Sequence, residues 1–145
     1  MNFFWDFLEI VLAKRHVDDE EKVRIWLKAA RCYLAFDCND EAETLTNRAS
    51  QLVSNVKNNL LKLSFKECFS ATLDYKKKFI EAARNYYNVA CDPYLENDKR
   101  QEYINKSCYC AILAKAGPQR SRMLSTLFKD ERSSNFKFFN ILQNM

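Results

Sequence analysis

Residues Asp18–Val53 read D-D-E-E-K-V-R-I-W-L-K-A-A-R-C-Y-L-A-F-D-C-N-D-E-A-E-T-L-T-N-R-A-S-Q-L-V. Four acids open the stretch, where a helix dipole favours negative charge. Val23, Trp26, Leu27, Ala30 and Leu34 then recur at helical spacing, one stripe running to about Phe36. Asp37–Cys38–Asn39–Asp40 is a short polar turn and cap. A second helix follows from about Glu41 to Ser54, with Ala42, Leu45, Ala49, Leu52 and Val53 inward. The stretch therefore predicts two antiparallel helices joined by a short turn, each too small to bury its apolar face alone.

Working outward, the same pattern repeats. Phe4, Phe7, Leu8, Val11 and Leu12 form an amphipathic face ahead of the quoted stretch. Behind it, Leu60, Leu61, Phe65, Cys68, Phe69 and Thr72 stripe a helix to about Asp74. Phe79, Ala82, Ala83, Tyr86 and Val89 stripe another, from about Lys77 to Ala90, which Cys91–Asp92–Pro93 stops. Tyr103, Cys108, Ile112 and Leu113 lie on a helix from about Glu96 to Lys115. Gly117 suits a C-terminal cap and Pro118 the first position of the next helix, which carries Met123, Leu124, Leu127 and Phe128. A last helical pattern begins near Ser133 and is still running at Met145.

These helices pair, and the pairs repeat at about 40 residues. Under that shift Ala30, Ser70 and Cys110 coincide, all small, while Tyr33, Leu73 and Leu113 coincide, all large. Ala42 matches Ala82 and Ala49 matches Val89. Small residues let paired helices approach, and large ones are expected to fill the gap between pairs. The expected fold is all-α: a single helical-repeat domain over residues 1–145, a right-handed solenoid of antiparallel hairpins resembling tetratricopeptide repeats. The tetratricopeptide consensus itself is absent, because the one glycine is used as a cap.

Composition narrows the function classes. The chain has 145 residues, with one Gly and two Pro. Sandwiches and barrels need many turn residues, and dinucleotide and P-loop sites need several glycines, so these are excluded. One histidine, His16, argues against His-based metal sites and against Ser-His or Cys-His catalysis. Apolar residues at 48% argue against disorder. No apolar run approaches the ~20 residues of a membrane helix. The six cysteines, Cys32, Cys38, Cys68, Cys91, Cys108 and Cys110, contain no C-x-x-C pair and read as small half-buried thiols of a reducing compartment.

No catalytic constellation emerges. The acid clusters Asp18–Glu21 and Asp130–Glu131 sit at helix ends, where solvated capping is the expected role. His16 falls in a connector, and Lys76–Lys77–Lys78 reads as a solvated turn at a helix start. The chain is expected to be no enzyme, with no cofactor, no metal and no small-molecule substrate. A formal charge of +4 and a pI near 8.7 allow an acidic partner without requiring nucleic acid, since both signs are interspersed. A basic helical nucleic-acid binder is the rival of a different class. Its binding must weaken steeply with salt.

One segment differs in kind. Residues Gly117–Arg132, G-P-Q-R-S-R-M-L-S-T-L-F-K-D-E-R, place Arg120, Arg122, Lys129 and Arg132, with Lys115 just upstream, around Met123, Leu124, Leu127 and Phe128. The four residues Arg120, Arg122, Lys129 and Arg132 are the candidate exposed face for a partner, or for a domain outside this chain.

The run Ala116–Arg132 also resembles the signature of the subunit-four family of the COP-nine signalosome, a family of PCI-domain proteins. Leu73–Tyr86 (L-D-Y-K-K-K-F-I-E-A-A-R-N-Y), Ala42–Ser50 (A-E-T-L-T-N-R-A-S) and Asn140–Met145 (N-I-L-Q-N-M) resemble further helices of the family. The similarity runs from about Lys22 onward and favours this family over proteasome-lid and translation-initiation PCI scaffolds. Pro118 and Ser133 depart from it, where the family usually has a polar residue and Cys. The resemblance implies a non-catalytic subunit of the complex that removes a ubiquitin-like modifier from cullin–RING ligases. The zinc isopeptidase would lie in another subunit. The implied partners are other signalosome subunits and the cullin–RING ligase, and the implied location is cytoplasmic and nuclear. The resemblance falls on the central helical repeats. Earlier repeats, the winged helix and the C-terminal assembly helix are expected outside this chain. A cut solenoid is expected to self-associate or dissolve poorly.

Overall fold

The computed structural model describes residues 15–132 together with Asp6, Leu8, Ile10, Val11 and Ala13. Those five are helical, with Leu8 and Val11 half-buried. The remaining stripe residues before Leu12, Leu12 itself, and the helix expected from Ser133 lie outside the described residues. Six α-helices follow: α1 (Asp19–Ala35), α2 (Asn39–Leu52), α3 (Asn59–Tyr75), α4 (Phe79–Ala90), α5 (Asn97–Leu113) and α6 (Pro118–Lys129). A single 3₁₀ turn, Val53–Asn55, follows α2. No strand occurs among the described residues, and the class is the expected all-α helical repeat. By contact the chain gathers into two compact units, one up to Phe65 and one from Lys66, so the division falls inside α3.

In the first unit, α1 starts because Asp18 Oδ1 accepts the Glu21 amide at 2.8 Å, with Asp19, Glu20 and Glu21 in the first turn. Val23, Trp26, Leu27 and Ala30 are its buried stripe. Along α2, which packs against it, Ala42, Leu45, Thr46 and Ala49 are buried. Thr46 survives there by donating to the Ala42 carbonyl at 2.8 Å. Asn55 Nδ2 donates to Asp19 Oδ2 at 2.8 Å, tying the end of the hairpin to its beginning.

In the second unit α4 packs along α5, and α6 packs on both. Leu73, Ala82, Ala83, Tyr86, Ala90, Ile104, Cys108, Cys110, Ala111, Met123, Leu124 and Leu127 form its core. The buried Ser107 hydroxyl donates to the Ala83 carbonyl at 2.7 Å, a polar clasp between α5 and α4. Tyr86 donates to Asp74 Oδ2 at 3.0 Å. Burial, then the neighbouring carboxylate, push its phenol well above the usual range.

The small inward positions expected from the repeat are all buried: Ala30, Ser70, Cys110, Ala42, Ala82, Ala49 and Val89. The large series is not uniform. Leu73 is buried, but Leu113 is exposed because it is the last residue of α5 and the chain extends from Ala114. Leu60 and Phe128 are likewise exposed, each at the margin of its stripe, whereas Leu63 is buried.

The turns carry the repeat further than the side chains do. After α1, the Asp37 amide donates to the Leu34 carbonyl and the Cys38 amide to Tyr33. After α3, Lys77 donates to Asp74 and Lys78 to Leu73, the same spacing 40 residues on. Both are Schellman closures, with Asp37 (φ 58°) and Lys77 (φ 61°) in the left-handed position. The third turn departs from this pattern. Gly117 is extended, with φ 164°, and stands at the N-cap of α6 rather than closing α5. The expected glycine cap is therefore absent, because α5 ends four residues earlier and its carbonyls are closed by a side chain.

Candidate functional site

That side chain is Arg120. It is half-buried, and its Nε and Nη2 donate to the Ala111 and Ile112 carbonyls at 3.2 Å each. The guanidinium thus takes up acceptors that the last turn of α5 leaves open, at the end of the dipole that favours a cation. Clamping there brings the first turn of α6 against the turn between α3 and α4. Lys77, Lys78, Lys115, Arg120 and Arg122 consequently line one cleft of about 610 Å³, with Glu81 the one carboxylate in its lining. Phe79, Ile80, Ala114 and Pro118 supply apolar lining.

The other two residues of the expected basic face lie at the opposite end of α6, Lys129 as its last residue and Arg132 three residues beyond it. Lys129 and Arg132 line a separate open depression of about 590 Å³ with Tyr87, Thr126, Asp130 and Glu131. The structure therefore does not gather all four on one exposed face. Arg122 and Lys129 are exposed, seven residues or two turns apart, roughly 10 Å along the axis. Arg120 and Arg132 are half-buried and spent largely on the fold, because helix carbonyls and a carboxylate lie within reach of their forks.

Arg132 shows this most fully. Its Nε and Nη2 reach Asp130 at 3.0 and 2.8 Å, its Nη1 the Ala90 carbonyl at 3.0 Å, and its Nη2 the Cys91 sulfur at 3.4 Å. Tyr87 donates to Asp130 Oδ2 at 3.0 Å. The guanidinium hydrogen bonds, against opposing burial, hold the Asp130 carboxyl down to about 2. Burial and the bond to Asp130 push the Tyr87 phenol up to about 12. Asp130 was expected as a solvated cap, but its side chain is only 12% exposed. Arg100 adds a second arginine to the same carbonyl, donating to Ala90 at 2.7 Å and to Leu95 at 2.9 Å. Asp92 holds Lys66 Nζ at 2.8 Å and the Tyr94 amide at 2.9 Å. Burial works to raise its carboxyl, yet these bonds hold it below the ordinary range.

His16 is exposed in its connector at φ 50°. Asp18 caps α1 as expected. Cys108 and Cys110 are fully buried rather than half-buried, and burial pushes both thiols up to about 12. Among the described residues no three His, Cys, Asp or Glu side chains stand together as a metal site. Lys76, Lys77 and Lys78 are exposed in the turn before α4, as expected, and Lys77 and Lys78 also line the cleft, a placement that was not expected. The signal was in the period: a shift of about 40 residues carries them onto Gly117 and Pro118, at the foot of Arg120 and Arg122.

A family model described as PSMD12/CSN4, N-terminal, matches residues 10–98. The chain belongs to this family. Among curated proteins it is similar to COP9 signalosome complex subunit 4 of Arabidopsis thaliana, 42% identical over 138 residues, which is 90% of this chain and 35% of the relative. The subunit of Dictyostelium discoideum is 42% identical over 134 residues, 92% of this chain and 34% of the relative. That of Drosophila melanogaster is 40% identical over 126 residues, 87% and 31%. The chain spans about a third of the length of the curated relatives it matches. The resemblance read from the helical motifs is thus confirmed at family level.

Proposed function

We propose that this chain is a helical-repeat portion of a signalosome subunit. In that role it is a non-catalytic scaffold that presents surfaces to other subunits and to the cullin–RING ligase from which a ubiquitin-like modifier is removed. The observation that carries the reading is the 40–42% identity to subunit 4 of a plant, a slime mould and an insect over most of this chain. The chemistry of the described residues supports the non-catalytic part. The two carboxyls held below their ordinary range, Asp92 and Asp130, are committed to ion pairs that fix the second unit. The buried thiols Cys108 and Cys110 are held protonated, which removes them as nucleophiles. The reading carries a cytoplasmic and nuclear location and no cofactor. Within it, Arg122 and Lys129 are the exposed members of the partner face, while Arg120 and Arg132 position α6.

The test is binding of the purified chain to a reconstituted cullin–RING ligase, with and without its modifier, against an unrelated acidic protein as control. Specific binding, weakened by Arg122→Glu with Lys129→Glu, is the expected result. Binding no stronger than to the control would end the substrate-contact reading. Retention of single-stranded nucleic acid that collapses with salt would instead favour the basic-binder reading.

A further inference from the structure

The cleft between the two turns of the second unit has features that scaffolding alone does not call for. It is lined by five cations and one carboxylate. Arg120 is engaged with the end of α5, which leaves Lys77, Lys78, Lys115 and Arg122 against Glu81. Two twelve-residue helices, α4 and α6, also start at this cleft. Their N-cap residues are Lys78, whose side chain offers no acceptor, and Gly117, which has no side chain. The helix starts at Asp18 and Asn58 each place a side-chain oxygen on first-turn amides, whereas those at Cys38 and Glu96, like the two at the cleft, have no side-chain cap. The first turn of α6 holds no acid, so its positive end adds to the lysines and Arg122, whereas Glu81 stands in the first turn of α4 and offsets that terminus.

Size and apolar content distinguish the occupant. A cleft of about 610 Å³ falls within the range of sites that take a small ligand or several side chains. Phe79, Ile80, Ala114 and Pro118 give it surface that a bare inorganic anion would not use. Tyr75 and Leu113, the last residues of α3 and α5, are both exposed within two residues of cleft-lining positions. We infer that this cleft is a docking site for an acidic protein segment, its carboxylates met by Lys77, Lys78, Lys115 and Arg122 and an apolar side chain set against Phe79 and Ile80. The inference needs no signalosome component; it shares Arg122 with the proposed partner face, while Lys77, Lys78 and Lys115 belong to the cleft alone, so the Lys77 and Lys78 pair separates the two readings.

The probe is a fluorescein-labelled peptide carrying a run of glutamates around one leucine. Its anisotropy is read with the full chain at about 0.15 M salt, where charges more than ~8 Å apart are screened. Glutamine replacing the glutamates is expected to weaken binding about tenfold or more. Lys77→Glu with Lys78→Glu is expected to do the same. The pair Lys28→Glu with Lys57→Glu, exposed lysines of the first unit, makes the same change in net charge and should leave binding within about twofold. A second cleft pair, Lys115→Glu with Arg122→Glu, leaves the left-handed turn untouched and should also lose binding, with circular dichroism unchanged. The inference is overturned by no binding of the glutamate peptide, by equal loss in cleft and control pairs, or by retention in Lys115→Glu with Arg122→Glu. Equally tight binding of a single-stranded oligonucleotide of matched charge would overturn it as well.

Discussion

Replacing Arg132 by alanine tests whether α6 is held by charge or by packing. The substitution leaves Asp130, 12% exposed, without the guanidinium but still accepting from the Tyr87 hydroxyl and the residue-132 amide. It also removes one of two arginines from the Ala90 carbonyl. Two routes give the cost. A carboxyl held down to about 2 carries roughly 2 kcal/mol of preference for the charged form, at about 1.36 kcal/mol per pH unit, most of it from the guanidinium, with smaller shares from the residue-132 amide and Tyr87 that the variant keeps. Breaking a fully buried ion pair costs about 3–5 kcal/mol, and Arg132 keeps about a third of its side chain in water, which reduces that figure. Both routes meet near 2 kcal/mol, or about 1 M in the urea midpoint for a slope of about 2 kcal/mol/M. Circular dichroism is the appropriate assay, because both tryptophans, Trp5 and Trp26, precede residue 66. The sign of the pH dependence follows from the depressed carboxyl. Its stabilisation is complete above about pH 4 and is lost as pH falls toward 2. The alanine variant should therefore show a flatter acid limb, and Arg132→Lys, which keeps one charge but not the fork, should recover part of the loss. A midpoint within about 0.3 M of wild type, with an unchanged acid limb, would show that packing of Leu124 and Leu127 holds α6 alone.

Three further outcomes are expected. With Ellman's reagent at neutral pH, Cys32 and Cys91 react first and Cys38 next, while Cys68, Cys108 and Cys110 react only at the rate of unfolding. Uniform reactivity would contradict the described core. Ile104→Ala, at a side chain with no exposure, should cost about 2–5 kcal/mol, whereas Leu113→Ala, at the exposed end of the same helix, should stay within about 0.5 kcal/mol, both read from urea midpoints. Lys77→Gly relieves a left-handed lysine and should stabilise the second unit by up to about 1 kcal/mol while weakening binding of an acidic peptide. Loss of stability there would show that the lysine side chain has a structural role.

The helices and their inward stripes were legible because apolar spacing reports directly on which face is buried. Val23, Leu27 and Ala30 needed no tertiary information. Leu60, Leu113 and Phe128 were misplaced because each lies at the margin of its stripe or the end of its helix, where one turn more or less decides exposure. The site was less legible for a physical reason. An arginine on a helix has the same sequence appearance whether its fork meets water or a carbonyl, and Arg120 and Arg132 meet carbonyls brought near only by packing of α5 and α4. The lysine turn is exposed as its residues predict, and the repeat alone places it beside the first turn of α6.

The Schellman closures after α1 and α3 use only main-chain amides and carbonyls. Their turn sequences, Asp37–Cys38 and Lys77–Lys78, are therefore chemically unrelated yet close the same hairpin. In the first turn Cys38 Sγ and Asn39 Nδ2 add bonds to the Phe36 and Asp37 carbonyls, but the closing bonds themselves involve no side chain, so the charge of these turns can be rewritten without redrawing the helices. The third junction lacks that freedom, because Arg120 is at once its clasp and part of its surface. A point substitution can give either of the first two loops a new address. At the third, a change of address at Arg120 would also unfasten the strap.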